Sequence, residues 1–173
     1  MNAPVTQEQT GQALAAIRDE LRALAGTLPS EQFFRGSGER WSVAHHLDHL
    51  VRSNQPVASA LTLPKDRLLP WTGAPRSFTE VQTLYRAALG GGAKASGRFL
   101  PDPQGTQQEL LDRYASSIEQ LTHGLTGWAG PDLDRFALPH PVLGPLSVRE
   151  MLFFTVYHNQ HHLQGIRARL ETA

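Results

Sequence analysis

Apolar residues recur along this chain at steps of three and four, and hydroxyl residues mark where each run begins. Leu14, Ile17, Leu21, Leu24 and Leu28 form the first run, which ends at Pro29. A second run holds Leu110, Tyr114, Ile118, Leu121, Leu125 and Trp128, and the last holds Val148, Leu152, Thr155, Leu163, Ile166 and Leu170. Such spacing leaves one stripe per helix to bury against neighbours. Four segments open with Ser or Thr followed three residues later by Glu or Gln: Thr6 and Gln9, Ser77 and Glu80, Thr106 and Glu109, Ser147 and Glu150. Each pair has the form of a capping box. Leu146 and Met151 flank the last as a hydrophobic staple, and Ser42 is a fifth N-cap without the box.

These signals predict helices over 7–28, 43–61, 78–89, 107–128 and 148–170, the middle one short. Pro56 predicts a kink or an early end within the second. No period-two alternation flanked by hairpin turns is visible, so no sheet is expected. The connections, including Arg35-Gly-Ser-Gly, Gly90-Gly-Gly, Pro101-Asp-Pro and Gly130 through Pro145, are rich in turn residues. Four long amphipathic helices and one minor one predict an all-α helical bundle, a single domain over 1–173.

Charge narrows the function. The 173 residues carry 16 Lys+Arg against 16 Asp+Glu, a formal net charge of zero. Neutrality argues against a nucleic-acid partner and against a polybasic membrane-surface protein. No apolar run approaches the roughly 20 residues of a membrane span, and Met1-Asn-Ala-Pro-Val-Thr-Gln-Glu has no basic and apolar leader pattern. A cytoplasmic protein is expected. There is no cysteine, which removes disulfides, Cys-ligated zinc, iron–sulfur clusters and a Cys nucleophile.

The 8 histidines carry the candidate chemistry, because three fall in His45-His46-Leu-Asp-His49 and three in His158-Asn-Gln-His161-His162. His158 and His162 lie one helical turn apart, roughly 6 Å between Cβ atoms, which suits chelation of one metal. The alternative is a histidine at the core edge and two in solvent. In the second helix an ideal wheel built on Val43, Leu47, Leu50 and Asn54 places His46 nearer the stripe and His49 well to its flank; the wheel alone would choose His46, and it does not settle the matter. Two helices each bringing clustered histidines is how bundles build metal sites.

At these residues the chain resembles a family. Trp41-Ser-Val-Ala-His-His-Leu-Asp-His49-Leu is similar to the second-helix signature of the DinB-like (DinB/YfiT-like) metalloenzymes, and His158-x-x-x-His162 to that of the last helix. Gly144-Pro-Leu-Ser-Val-Arg-Glu-Met-Leu resembles the approach to that helix. The resemblance implies an up-down-down-up four-helix bundle with His49, His158 and His162 on one divalent metal, against the wheel's preference for His46. Zinc or nickel is implied first, with iron or manganese next. The chain departs from the family at Leu163-Gln164-Gly165, where the family often has x-Gly-Gln.

Three neutral ligands leave open positions, the pattern of a catalytic metal. The His-Glu-x-x-His protease signature is not met, since position 159 is Asn. Asp48, Glu150 and His140 could orient a ligand or move a proton. Each also has an ordinary reading: a surface carboxylate, a cap and a loop residue. Trp41, Trp71 and Trp128 read as core. The resemblance implies transfer of a low-molecular-weight thiol, such as bacillithiol or mycothiol, to an electrophilic small molecule. The alternatives are metal-dependent hydrolysis of an amide or ester, and a non-catalytic stress-response metal binder. The resemblance also allows a homodimer. Loops 29–41 and 129–146 are expected to shape the substrate pocket.

Overall fold

The computed structural model describes residues 6–36 and 40–171; positions 1–5 of the stretch read for a leader and positions 37–39 of the first loop lie outside them. Among the described residues there are six α-helices: α1 Gln7–Gly26, α2 Ser30–Phe34, α3 Val43–Leu61, α4 Phe78–Gly90, α5 Gln107–Leu125 and α6 Val148–Glu171. The five expected helices match five of these to within three residues at either end.

All four capping boxes form. In α1, α4 and α5 the hydroxyl of Thr6, Ser77 or Thr106 accepts from the N3 amide while the N3 side chain accepts from the cap's own N–H. At α6, Glu150 N donates to Ser147 Oγ (3.1 Å) and Ser147 N donates to Glu150 Oε2 (3.0 Å). Ser42 Oγ accepts from His45 N at the start of α3. Pro56 does not end α3, which runs on to Leu61.

Side-chain contacts fix the directions of the bundle's helices. Gln107 Nε2, at the start of α5, donates to Ala25 O and Leu28 O at the end of α1, so these helices are antiparallel. Asn54 meets Ser117, and Trp128 Nε1 donates to Leu61 O, so α3 and α5 run parallel. His46 meets His162 and His49 meets His158, so α3 and α6 are antiparallel. Arg167 pairs with Glu20, and Arg149 lies in one groove with Gln7, making α1 and α6 parallel. The result is the up-down-down-up bundle. Leu14, Ile17, Leu21, Leu47, Leu50, Leu110, Ile118 and Leu121 are fully buried at its centre, each contributing about 1.5–3 kcal/mol of transfer free energy.

Two expectations are corrected. A three-stranded antiparallel sheet joins β1 Leu69–Pro70, β2 Phe136–His140 and β3 Gly144–Ser147 in the order β1-β2-β3. Strands this short carry no readable alternation. Pro139 faces Pro145 across β2 and β3, and beyond Ala137 no strand among the described residues pairs with the other side of β2, so missing N–H groups cost the ladder little. The last helix is also not striped: from Val148 to Asn159 nearly every residue is buried. Helix α6 packs on α1 and α3 within the bundle and on α4 and the β2–β3 hairpin outside it. Its polar residues therefore enter the interior. Asn159 is fully buried, exchanges amide hydrogen bonds with Asn54, and accepts from Tyr114 Oη.

Candidate metal centre

His49 from α3 and His158 and His162 from α6 converge where those helices cross. His49 Nε2 lies 3.1 Å from His158 Nε2, which lies 3.1 Å from His162 Nε2. One nitrogen from each of the three rings lies within 4.8 Å of the others, and all three residues are buried. Neutral imidazoles packed edge to edge cannot satisfy three Nε2 atoms with one another. Around a tetrahedral ion with bonds of about 2.0–2.1 Å, ligand nitrogens sit about 3.3 Å apart. The donor set therefore fits a divalent cation, and this triad could hold one.

The groups behind the triad aim it. His49 Nδ1 lies 2.7 Å from Phe99 O, a carbonyl that can only accept; Nδ1 therefore carries the proton and the Nε2 lone pair faces its neighbours. His162 Nδ1 meets His46 Nδ1 at 2.8 Å. The residue preferred by the wheel is thus in the site, one layer behind it. Trp41 stacks on His162 (5.9 Å between centroids, 10°) and tilts over His49 (4.9 Å). Phe154 stacks on His158 (5.1 Å, 18°).

Burial lowers the pKa of His49 from its ordinary 6.5, partly opposed by the bond to Phe99 O. His158 and His162 are pushed well below 6.5 by burial first and then by neighbouring imidazoles. His46 falls to about 4, again chiefly through burial. Neutral rings are the form that binds a cation.

Asp48 is not a surface carboxylate. It is buried, and its Oδ2 accepts from Arg52 Nε (2.6 Å) and from Asp102 N (2.8 Å). Those bonds pin the 97–102 segment that carries Phe99 O. Glu150 caps α6 as expected and also clamps Arg76, so it does not reach the triad. His140 ends β2, with Nδ1 accepting from Val142 N (3.1 Å) and Leu143 N (2.9 Å). Gln164 is exposed, so the reversed Gln-Gly order leaves the ligands untouched.

A cavity of about 240 Å³ opens beside the triad. The two loops expected to build it contribute Trp41 and the 140–142 turn, but the wall owes more to α4 and the 93–99 segment, including Tyr85, Lys94 and Phe99. Trp41 and Phe99 were not legible as site residues. The sequence signals for Trp41 were its place at the head of the second-helix signature and immediately before the Ser42 cap. Trp128 is core, whereas Trp71 is half-buried with Arg76 over its ring.

Residues 13–166 match the model of the DinB superfamily. The chain belongs to the DinB superfamily. It is 29% identical over 142 residues, 79% of this chain and 83% of the relative, to the uncharacterized protein YuaE of Bacillus subtilis (strain 168). The DinB bundle is also similar to the crystal structure of TT2238, a four-helix bundle protein (TM-score 0.61, 19% identity, 94% of this chain and 99% of that one). It is similar too to that of the colibactin self-resistance protein ClbS in complex with a dsDNA (TM-score 0.61, 14% identity, 99% of each chain). The exclusion of nucleic acid on grounds of net charge is thereby corrected, since a bundle of this shape is found on duplex DNA. Net charge sums over the whole surface, whereas phosphates need only a local patch. Among the described residues no helix is long and apolar enough to cross a membrane.

Proposed function

We propose that this DinB-superfamily protein is an enzyme that holds one divalent cation on His49, His158 and His162 and transfers a low-molecular-weight thiol to an apolar electrophile. The carrying observation is a neutral imidazole triad opening on an apolar cavity whose wall contains no carboxylate among the described residues. Bound there, a zinc or nickel ion would supply positive charge that lowers the pKa of a thiol at neutral pH. The three rings bind; Phe99 O, His46 and Trp41 hold them in place; Phe154 and Tyr85 keep water from the inner wall. Metal-assisted hydrolysis of the zincin kind needs a carboxylate to take the water's proton. The buried carboxylates nearest in sequence, Asp48 and Glu150, are already turned to Arg52 and Arg76. That favours a borrowed thiol, drawn from the reduced pool of the cytoplasm, over hydrolysis.

The test is thiol consumption by metal-loaded protein given bacillithiol or a comparable thiol and an aromatic electrophile. Turnover should require both protein and ion, vanish on chelation and return with zinc or nickel. Equal substrate cleavage with and without thiol would overturn thiol transfer in favour of the hydrolase.

The ligand assignment makes Asp48 a remote support. Asp48→Ala should release the segment carrying Phe99 O and weaken zinc affinity about 10–100-fold, the usual cost of losing an outer partner, without removing the one-to-one stoichiometry. Competition against a chromogenic chelator measures this; unchanged affinity would mean Phe99 O is held by other contacts.

A further inference from the structure

His140 is the one histidine of the cavity wall whose tautomer is fixed by backbone donors. Val142 N and Leu143 N both donate to Nδ1, so that nitrogen is unprotonated and the ring proton sits on Nε2. Protonating the ring would set an Nδ1 donor against two N–H groups. Burial acts in the same direction, lowering the pKa to about 4. The ring is wedged against Phe154 at 4.2 Å, and Phe154 in turn stacks on His158. No group among the described residues accepts from Nε2. Nor is that atom sealed in: the enclosed side-chain polar atoms without a partner belong to Glu20 and Trp71. His140 lines the cavity, and its Nε2–H is a neutral, immobile donor that the protein does not enclose. The other polar groups there include the ring N–H groups of Trp41 and His161. The hydroxyls of Ser53, Tyr85 and Ser96 can donate or accept, and Lys94 is a flexible cation.

We propose that His140 is a specificity-determining residue that donates Nε2–H to an acceptor oxygen of the carbonyl type on the molecule bound in this cavity, so that apolar molecules bearing such an oxygen are selected over hydrocarbons of the same shape. The inference rests on the cavity being the substrate site of the function proposed above, but its test needs neither thiol nor metal.

Two substitutions separate the ring's two nitrogens. The Asn side chain places its amide near the former Nδ1, so His140→Asn keeps an acceptor for the turn and loses the outward donor. The Gln amide reaches the former Nε2, so His140→Gln keeps the outward donor and loses the turn acceptor. Binding of acetophenone and of ethylbenzene to metal-free protein is compared by titration. Wild type and His140→Gln should prefer acetophenone by up to about tenfold, the worth of one neutral hydrogen bond, while His140→Asn should bind both alike. Histidine ¹⁵N shifts should show Nε2 protonated and moving on addition of acetophenone. A wild type that does not discriminate, or a His140→Asn variant that discriminates as wild type does, overturns the assignment. Preference lost in His140→Gln but kept in His140→Asn would make His140 a turn residue only. Failure of thiol transfer with the preference intact would sink the proposed reaction and leave His140 standing.

Discussion

His158→Ala is expected to bring zinc or nickel binding from one ion per chain to none, as measured by metal analysis after dialysis. His158 is the middle of the three rings, with its Nε2 3.1 Å from each neighbour's. Its removal leaves two ligands and a cavity beside Phe154. His49→Ala and His162→Ala should behave alike. His46→Ala should differ in degree, keeping the stoichiometry while losing about 10–100-fold in affinity, because His46 touches His162 Nδ1 rather than the shared centre. A second readout excludes simple misfolding. An ion that binds only the folded chain raises its stability by about 4 kcal/mol at a thousandfold excess over Kd. Wild type should therefore show an upward shift in Tm with added zinc that each triad variant lacks. Normal binding by His49→Ala with loss in His46→Ala would transfer the ligand role to His46.

The choice between those two histidines shows where sequence reasoning stops. A wheel ranks positions by their angle to one helix's own apolar stripe, which assumes the flank faces water. On α3 the flank is covered. The 97–99 turn lies against it, bonded through Phe99 O to His49 and tied down by Asp48 through Asp102. Nothing local to residues 43–61 announces that cover, so the wheel favours His46, and only the family resemblance points to His49. The burial of Asp48 and the role of Trp41 were hidden for the same reason. Five helices, by contrast, were legible to within a turn, because caps and three-four spacing are short-range properties, whereas the five-residue α2, with no side-chain cap, was read as loop. The hairpin was illegible because Pro139 and Pro145 read as loop residues, and its pairing with Leu69–Pro70 spans more than sixty positions. With the hairpin went the position of His140.

Glu150 gives the second large effect, and it separates a cap from a keystone. As a cap alone, Glu150→Ala should cost about 1 kcal/mol. The carboxylate does more than that. At 1% exposure it accepts from Ser147 N (3.0 Å), Arg76 N (3.0 Å), Arg76 Nε (2.9 Å) and Arg76 Nη2 (2.8 Å). Removing it strands two backbone N–H groups and one guanidinium inside the protein. Breaking a buried ion pair from one side costs about 3–5 kcal/mol, because the remaining charge has no partner. Arg76 keeps 28% of its side chain exposed and can turn partly to water, which places the expected loss near 3 kcal/mol. Glu150→Gln keeps one good acceptor oxygen and should lose about 2 kcal/mol. Urea unfolding of the two variants, with Arg76→Ala and the double mutant to close the cycle, measures the coupling. The consequence reaches the site, because Arg76 N lies immediately before the Ser77 cap of α4, and α4 carries Tyr85 into the cavity wall. A loss near 1 kcal/mol with no coupling to Arg76 would reduce Glu150 to its cap and leave α4 held by the packing of Val81 and Tyr85 and by Arg86 on Tyr157.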